Sequence, residues 1–154
     1  RICLVGSEMC IRDSKKTEES SWYDDNGERW QRMGDIGRVD EEGFVTLLGR
    51  SKDMIISGGF NIYPRDLEDA LLKQPEVVDA AVIGIPSKEW GETPLGFVVA
   101  AGGKTLDLSA VCARANAELG KTQRISALKQ LDELPRSHIG KILKTALREM
   151  VSET

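Results

Sequence analysis

The hydrophobic positions of this chain sort into short runs and helical stripes from about residue 54 onward. Met54-Ile55-Ile56 is an apolar run, Ser57-Gly58-Gly59 supplies a tight reversal, and Phe60-Asn61-Ile62 leads back, which is the pattern of a β-hairpin. Pro64 opens a helix, since a first helical position needs no N–H. Leu67, Ala70 and Leu71 form one apolar stripe on it, and Asp66, Glu68 and Asp69 put negative charge toward its positive end. Pro75 disfavours helix in the residue before it, so this helix is expected over 64–74. Residues 77–85 (VVDAAVIGI) and 95–101 (LGFVVAA) are apolar almost throughout, as strands covered on both faces are. The polar stretch 86–94 between them reads as a loop, with Trp90 a lid on the sheet. Gly102-Gly103 breaks the chain. Asp107 then caps a helix over 108–119, with Leu108, Val111, Cys112, Ala115 and Leu119 at helical spacing and Gly120 as its stop. A third strand is expected over 127–134. A terminal helix follows, with Ile142, Leu143, Ala146, Leu147 and Met150 on one side and Lys141 at or just inside its start. The sum is a small α+β domain: a three-stranded sheet, packed helices and a preceding hairpin.

Upstream the pattern is more polar. Asp25-Asn26-Gly27 tolerates the positive φ of a tight turn, and Trp22, Tyr23 and Trp30 read as packing beneath a hairpin. Residues 39–45 read as strand, acidic turn and strand, with Gly43 at the left-handed position and Phe44, Val45, Leu47 and Leu48 as scaffold. Residues 1–14 (RICLVGSEMCIRDS) resemble a translated sequencing-adapter peptide. They are expected to be non-native or disordered and carry no weight in the fold.

A chain of 154 residues is long enough for a domain with a real core. Net charge is −4, with 21 basic and 25 acidic residues interspersed, which argues against a nucleic-acid surface. No apolar run approaches the ~20 residues a membrane helix needs. Cys3, Cys10 and Cys112 have no metal-ligand spacing, so no metal site is expected, and their odd count suits a reducing cytoplasm. Cys112 lies on an apolar stripe and reads as an inert core thiol. His138 reads as a solvated loop residue. With no initiating Met, the chain reads as a fragment.

Three segments in order carry more. They are Arg32-Met33-Gly34-Asp35, then GRSKDMIISGGFNIYPRDLE over 49–68, then Pro135-Arg136-Ser137-His138-Ile139-Gly140-Lys141. This set resembles the C-terminal portion of the adenylate-forming enzymes, which include acyl-CoA synthetases, luciferases and amino-acid adenylation domains. The resemblance covers about residues 16–150. It implies that 15–50 is the β-rich trailing edge of a large AMP-binding domain and 51–152 a C-terminal cap domain. It further implies that Asp35 and Arg50 reach the ribose of ATP, that Lys52 is the hinge on which the cap swings, and that Ser57, Gly58 and Gly59 line the CoA side. Lys141 would be the adenylation lysine. The implied substrates are a carboxylic acid, ATP and CoA, with Mg²⁺ held by a large domain that precedes these residues. Residues 61–64 favour the acyl-CoA ligase type. The alternatives are the cap of an amino-acid adenylation module, or a non-catalytic α+β interaction module.

Each residue also has a plainer reading. Asp35 fits a turn at a strand start, Lys52 a polar connector, the glycine pair a hairpin turn needing φ > 0, and Lys141 an ordinary helix-start lysine. The chemistry favours the sharper one for Lys141. A carboxylate attacking the α-phosphorus of ATP brings two anions together, and a cation between them offsets their repulsion in the transition state, a contribution of several kcal/mol.

Overall fold

The structure, a computed structural model, describes Glu18 and residues 20–152. The expectation for residues 1–14 lies outside the described residues. The chain divides into two compact units, Arg1–Asp35 and Ile36–Thr154.

In the first unit, β1 (Ser21–Tyr23) and β2 (Arg29–Gln31) form an antiparallel hairpin with Trp22 opposite Trp30. The two indoles stack with centroids 6.1 Å apart, each partly open to solvent. The turn forms as the Asp-Asn-Gly pattern requires. Asp24 accepts the N–H groups of Asn26 (3.0 Å) and Glu28 (2.9 Å), and Gly27 takes φ +77°. Asp24 also accepts the Trp30 indole N–H at 3.0 Å. That bond, followed by the Glu28 amide, lowers the carboxyl pKa below the ordinary aspartate value.

The strand β3 (Asp35–Val39), in the second unit from Ile36 onward, pairs with β4 (Val45–Arg50). Asp40 closes the turn by accepting the Glu42 and Phe44 N–H groups, and Gly43 takes φ +88°. The side chains expected to be scaffold here are largely open: Val39, Phe44, Val45 and Leu47 are all more than half exposed.

The rest is built on one long antiparallel pair, β7 (Val77–Ser87) and β8 (Gly91–Ala100). The other edge of β8 is shared. The hairpin of β5 (Ile55–Ser57) and β6 (Phe60–Ile62) joins it at Gly91, and β9 (Ala127–Leu131) runs parallel to it from Leu95 to Val99. The three expected strands are therefore joined by the β5–β6 hairpin into one five-stranded sheet, with β8 paired to β7, β5 and β9.

Both faces of this sheet are covered, which accounts for the unbroken apolar runs. Ala80, Val82 and Val98 pack with Leu67 and Leu71 of α1 (Pro64–Leu72) and with Val111 and Ala115 of α2 (Leu108–Glu118). Their strand neighbours Ala81, Ile83, Leu95 and Phe97 point the other way and pack with Leu147 of α3 (Lys144–Ser152) and Leu134.

Several boundaries differ from the sequence reading. The helix expected over 64–74 stops at Leu72. The expected loop 86–94 shrinks to residues 88–90, so Pro86 and Pro94 lie inside strands. Pro94 sits where β8 changes partner between Gly91 and Leu95, where the lack of an N–H costs little. β9 ends at Leu131 rather than 134. Asp107 caps α2 as expected, accepting the Ala110 N–H at 3.0 Å. Gly120 is not its stop: Leu119 turns extended at φ −94°, ψ 155°. The Asn116 side chain ties off that end by bonding both the N–H (2.8 Å) and the C=O (2.9 Å) of Ile125. The terminal helix begins at Lys144, so Ile142 and Leu143 precede it.

Candidate functional site

Lys141 does not stand at a helix start. It closes a small hairpin-like loop over residues 135–143. Arg136 and Ile142 bridge in antiparallel fashion, Ser137 N–H donates to Lys141 C=O (2.8 Å), and Leu143 N–H donates to Pro135 C=O (2.8 Å). The turn itself is Ser137 to Gly140, closed by Gly140 N–H on Ser137 C=O at 2.8 Å. Gly140 has φ +79°, a conformation a residue with a Cβ adopts only under strain. The Ser137 hydroxyl accepts the Lys141 N–H at 3.2 Å, so the hydroxyl of this motif has a visible task. The backbone of Lys141 is thus held while its side chain is exposed.

Lys141 lines a cavity of about 400 Å³ with Arg50, Lys52, Asp53, Lys144 and Arg148. Five of these six residues are cationic. Arg148 pairs with Asp53 (3.3 Å) and Lys144 with Glu68 (2.7 Å). The ammonium groups of Lys52 and Lys141 form no ion pair among the described residues. Two uncompensated cations on one concave surface favour an anion there. Three residues singled out from sequence, Arg50, Lys52 and Lys141, are therefore brought together. Lys52 lies in a 3₁₀ turn, Ser51–Asp53, directly after β4. Asp35 is exposed and ends the first unit.

The glycine turn stands apart from that cavity. Gly58 (φ +57°) and Gly59 (φ +81°) are the central pair of a two-residue hairpin with Ser57 opposite Phe60. Positive φ at both positions is the type I′ arrangement, whose twist matches that of the strands. The two glycines differ in surroundings. A Cβ on Gly58 would lie 2.7 Å from Cε3 of Trp90, whereas one on Gly59 would meet nothing within 4 Å. Trp90 is 52% exposed and leans on the hairpin tip, so it caps the turn rather than the core of the sheet.

Sequence reasoning missed two residues. Glu68 reads as helix-start charge, yet its Oε1 accepts both the Val82 N–H (2.9 Å) and the Lys144 ammonium (2.7 Å), joining α1, β7 and α3. Arg136 bonds both Asp79 of β7 and Gly140 C=O. The Glu68–Lys144 and Arg136–Asp79 links have no spacing signal, because the partners lie 76 and 57 residues apart in the chain. Among the described residues, no three His, Cys, Asp or Glu side chains come together as a metal site would require.

Residues 66–141 match the family described as AMP-binding enzyme C-terminal domain. The chain is 42% identical over 124 residues to the 2-succinylbenzoate–CoA ligase of Bacillus cereus, covering 80% of this chain and 25% of the relative. It is 41% identical over 130 residues to a long-chain-fatty-acid–CoA ligase of Mycobacterium tuberculosis, covering 84% and 25%. Among solved structures, ATP-bound MatB from Rhodopseudomonas palustris aligns with a TM-score of 0.79 at 37% identity, over 92% of this chain and 27% of that one. The chain spans about a quarter of the length of the curated relatives it matches. With the held lysine loop, the glycine hairpin and the cationic cavity in place, the chain belongs to the adenylate-forming (AMP-binding) enzymes and carries their C-terminal domain.

Proposed function

We propose that the intact protein is an ATP-dependent acyl-CoA ligase. It joins a carboxylic acid to ATP as an acyl-adenylate, releases pyrophosphate, and transfers the acyl group to CoA. The carrying observation is the exposed Lys141 ammonium on a braced loop, beside Arg50 and Lys52 in a cavity of cationic side chains. A lysine so held is a point charge on a flexible stem, suited to bridging a carboxylate and a phosphate. Asp35, an acceptor-only carboxylate when ionised, and Arg50 serve the ribose. Lys52 is the hinge, with residues 15–50 belonging to the large domain and 51–152 to the cap. Any Mg²⁺ that accompanies ATP is held by chain outside these residues.

Rotation about the hinge withdraws Lys141 and turns Ser57, Gly58 and Gly59 toward the pantetheine of CoA. The exposed apolar side chains of Val39, Phe44, Val45 and Leu47 support a partner domain within the same polypeptide. Relatives named for unlike acids are almost equally similar, at 42% and 41% identity, so the acid is selected by residues outside this chain. No described helix is long and apolar enough to cross a membrane. We assign the enzyme to the cytoplasm, where the free thiol of Cys112 is stable.

The test is made on the intact enzyme by separating the half-reactions. Lys141→Ala should slow acid-dependent pyrophosphate exchange by about 10²–10³-fold. CoA transfer to supplied acyl-adenylate should continue. Equal loss in both assays, or no loss in the first, would refute the assignment.

A further inference from the structure

We propose that Asp79 is a positioning residue for Lys141, acting through Arg136; the inference rests on the adenylation role proposed above for Lys141. Asp79 lies on β7 beside an irregularity. Val77 pairs with Ala100 and Asp79 with Val99, leaving Val78 as the extra residue. Bulges of this kind re-aim neighbouring side chains. The Asp79 side chain, 28% exposed, accepts the Ala80 N–H at 3.1 Å through Oδ1 and the Arg136 guanidinium through Oδ2. The other terminal nitrogen of that guanidinium donates to Gly140 C=O at 2.7 Å.

Gly140 C=O and Lys141 N–H belong to one peptide unit. The carbonyl end is held by Arg136 and the amide end by the Ser137 hydroxyl at 3.2 Å. Because a peptide unit is planar, fixing both ends fixes its orientation, and with it the direction in which the Lys141 side chain leaves the backbone. Arg136 alone cannot do this. Its side chain is long and exposed, and it stays over Gly140 only while its other arm is anchored to the sheet. Asp79 is that anchor. It belongs to neither hydrophobic cluster, so its loss slackens the loop without emptying the core.

Asp79→Ala and the volume-keeping Asp79→Asn test this in the intact enzyme, alongside Lys141→Ala and the double variants. Misplacing a catalytic group by about 1 Å costs roughly 10²-fold, so Asp79→Ala should slow adenylation by about 10- to 100-fold, with Asp79→Asn in between. CoA transfer from supplied acyl-adenylate should stay within about twofold, because a loosened loop does not touch that step. Adding Asp79→Ala to Lys141→Ala should produce no further loss, since an anchor has nothing left to position. Arg136→Lys keeps the charge and loses the fork, and should behave as Asp79→Ala does. Amide exchange at Lys141 N–H gives a second readout, expected to speed up at least about tenfold in Asp79→Ala while β7 and β8 keep their protection. Unchanged adenylation in Asp79→Ala, equal loss in both half-reactions, or additive loss with Lys141→Ala would overturn the proposal. If Lys141→Ala itself left adenylation intact, the role of Lys141 would fall, and amide exchange alone would decide whether Asp79 holds the loop.

Discussion

Replacing each of the paired glycines at the hairpin tip with alanine separates backbone strain from steric contact. Both have positive φ, +57° at Gly58 and +81° at Gly59, and each alanine incurs roughly 1–2 kcal/mol for a left-handed conformation. Against this, alanine restricts the unfolded chain and returns about 0.4–1 kcal/mol. The net cost at Gly59 is about 1 kcal/mol, since its Cβ would meet nothing within 4 Å. At Gly58 the new methyl would lie 2.7 Å from Cε3 and 3.0 Å from Cζ3 of Trp90. An indole ring cannot yield like the end of a flexible side chain, so Trp90 must rotate off the turn. Forced repacking of that kind adds about 1–2 kcal/mol, bringing Gly58→Ala to roughly 2–3 kcal/mol. Urea denaturation followed by circular dichroism measures both variants. A Trp90→Ala background should remove most of the difference between them. If the two alanines cost the same within about 0.5 kcal/mol with Trp90 in place, the indole is not pressed against Gly58 and the reasoning fails.

The Glu68–Lys144 pair, with both side chains 19% exposed, leads to a second expectation. Glu68→Ala leaves the Val82 N–H and a largely buried ammonium without their acceptor and should destabilise the protein by about 2 kcal/mol in urea titration. A third expectation concerns pH. The Asp24 carboxyl is held below the ordinary aspartate range first by the Trp30 indole and then by the Glu28 amide. A depressed carboxyl contributes stability above its unfolded pKa and loses it as pH falls through the lower folded value. Trp30→Phe should therefore raise the Asp24 pKa toward the ordinary range, followed by carboxyl carbon NMR; an unmoved titration would contradict the indole bond.

Elements written by local rules were readable in the residue string. The Asp-Asn-Gly turn, the Gly58-Gly59 reversal, the Pro64 helix start and the Asp107 cap all rest on neighbours within a few positions, and all form. The continuous apolar runs announced strands covered on both faces, and the two hydrophobic clusters are those two faces. The three motifs singled out Arg50, Lys52, the glycine pair and Lys141 by residue type and order, and folding brings Arg50, Lys52 and Lys141 to one cavity. What remained hidden depends on partners brought together only by folding. That β7 runs on through Pro86 and β8 starts before Pro94 follows from which neighbour β8 has at each point, and the end of α2 follows from Asn116 reaching Ile125. Lys141 lies before the helix and not in it, because Arg136 pairs with Ile142 and leaves α3 to begin at Lys144. Glu68 reaches 76 residues along the chain to Lys144, and Arg136 reaches back 57 to Asp79. A hydrogen bond acts over about 3 Å in space and is indifferent to separation in sequence, so such links have no local signature.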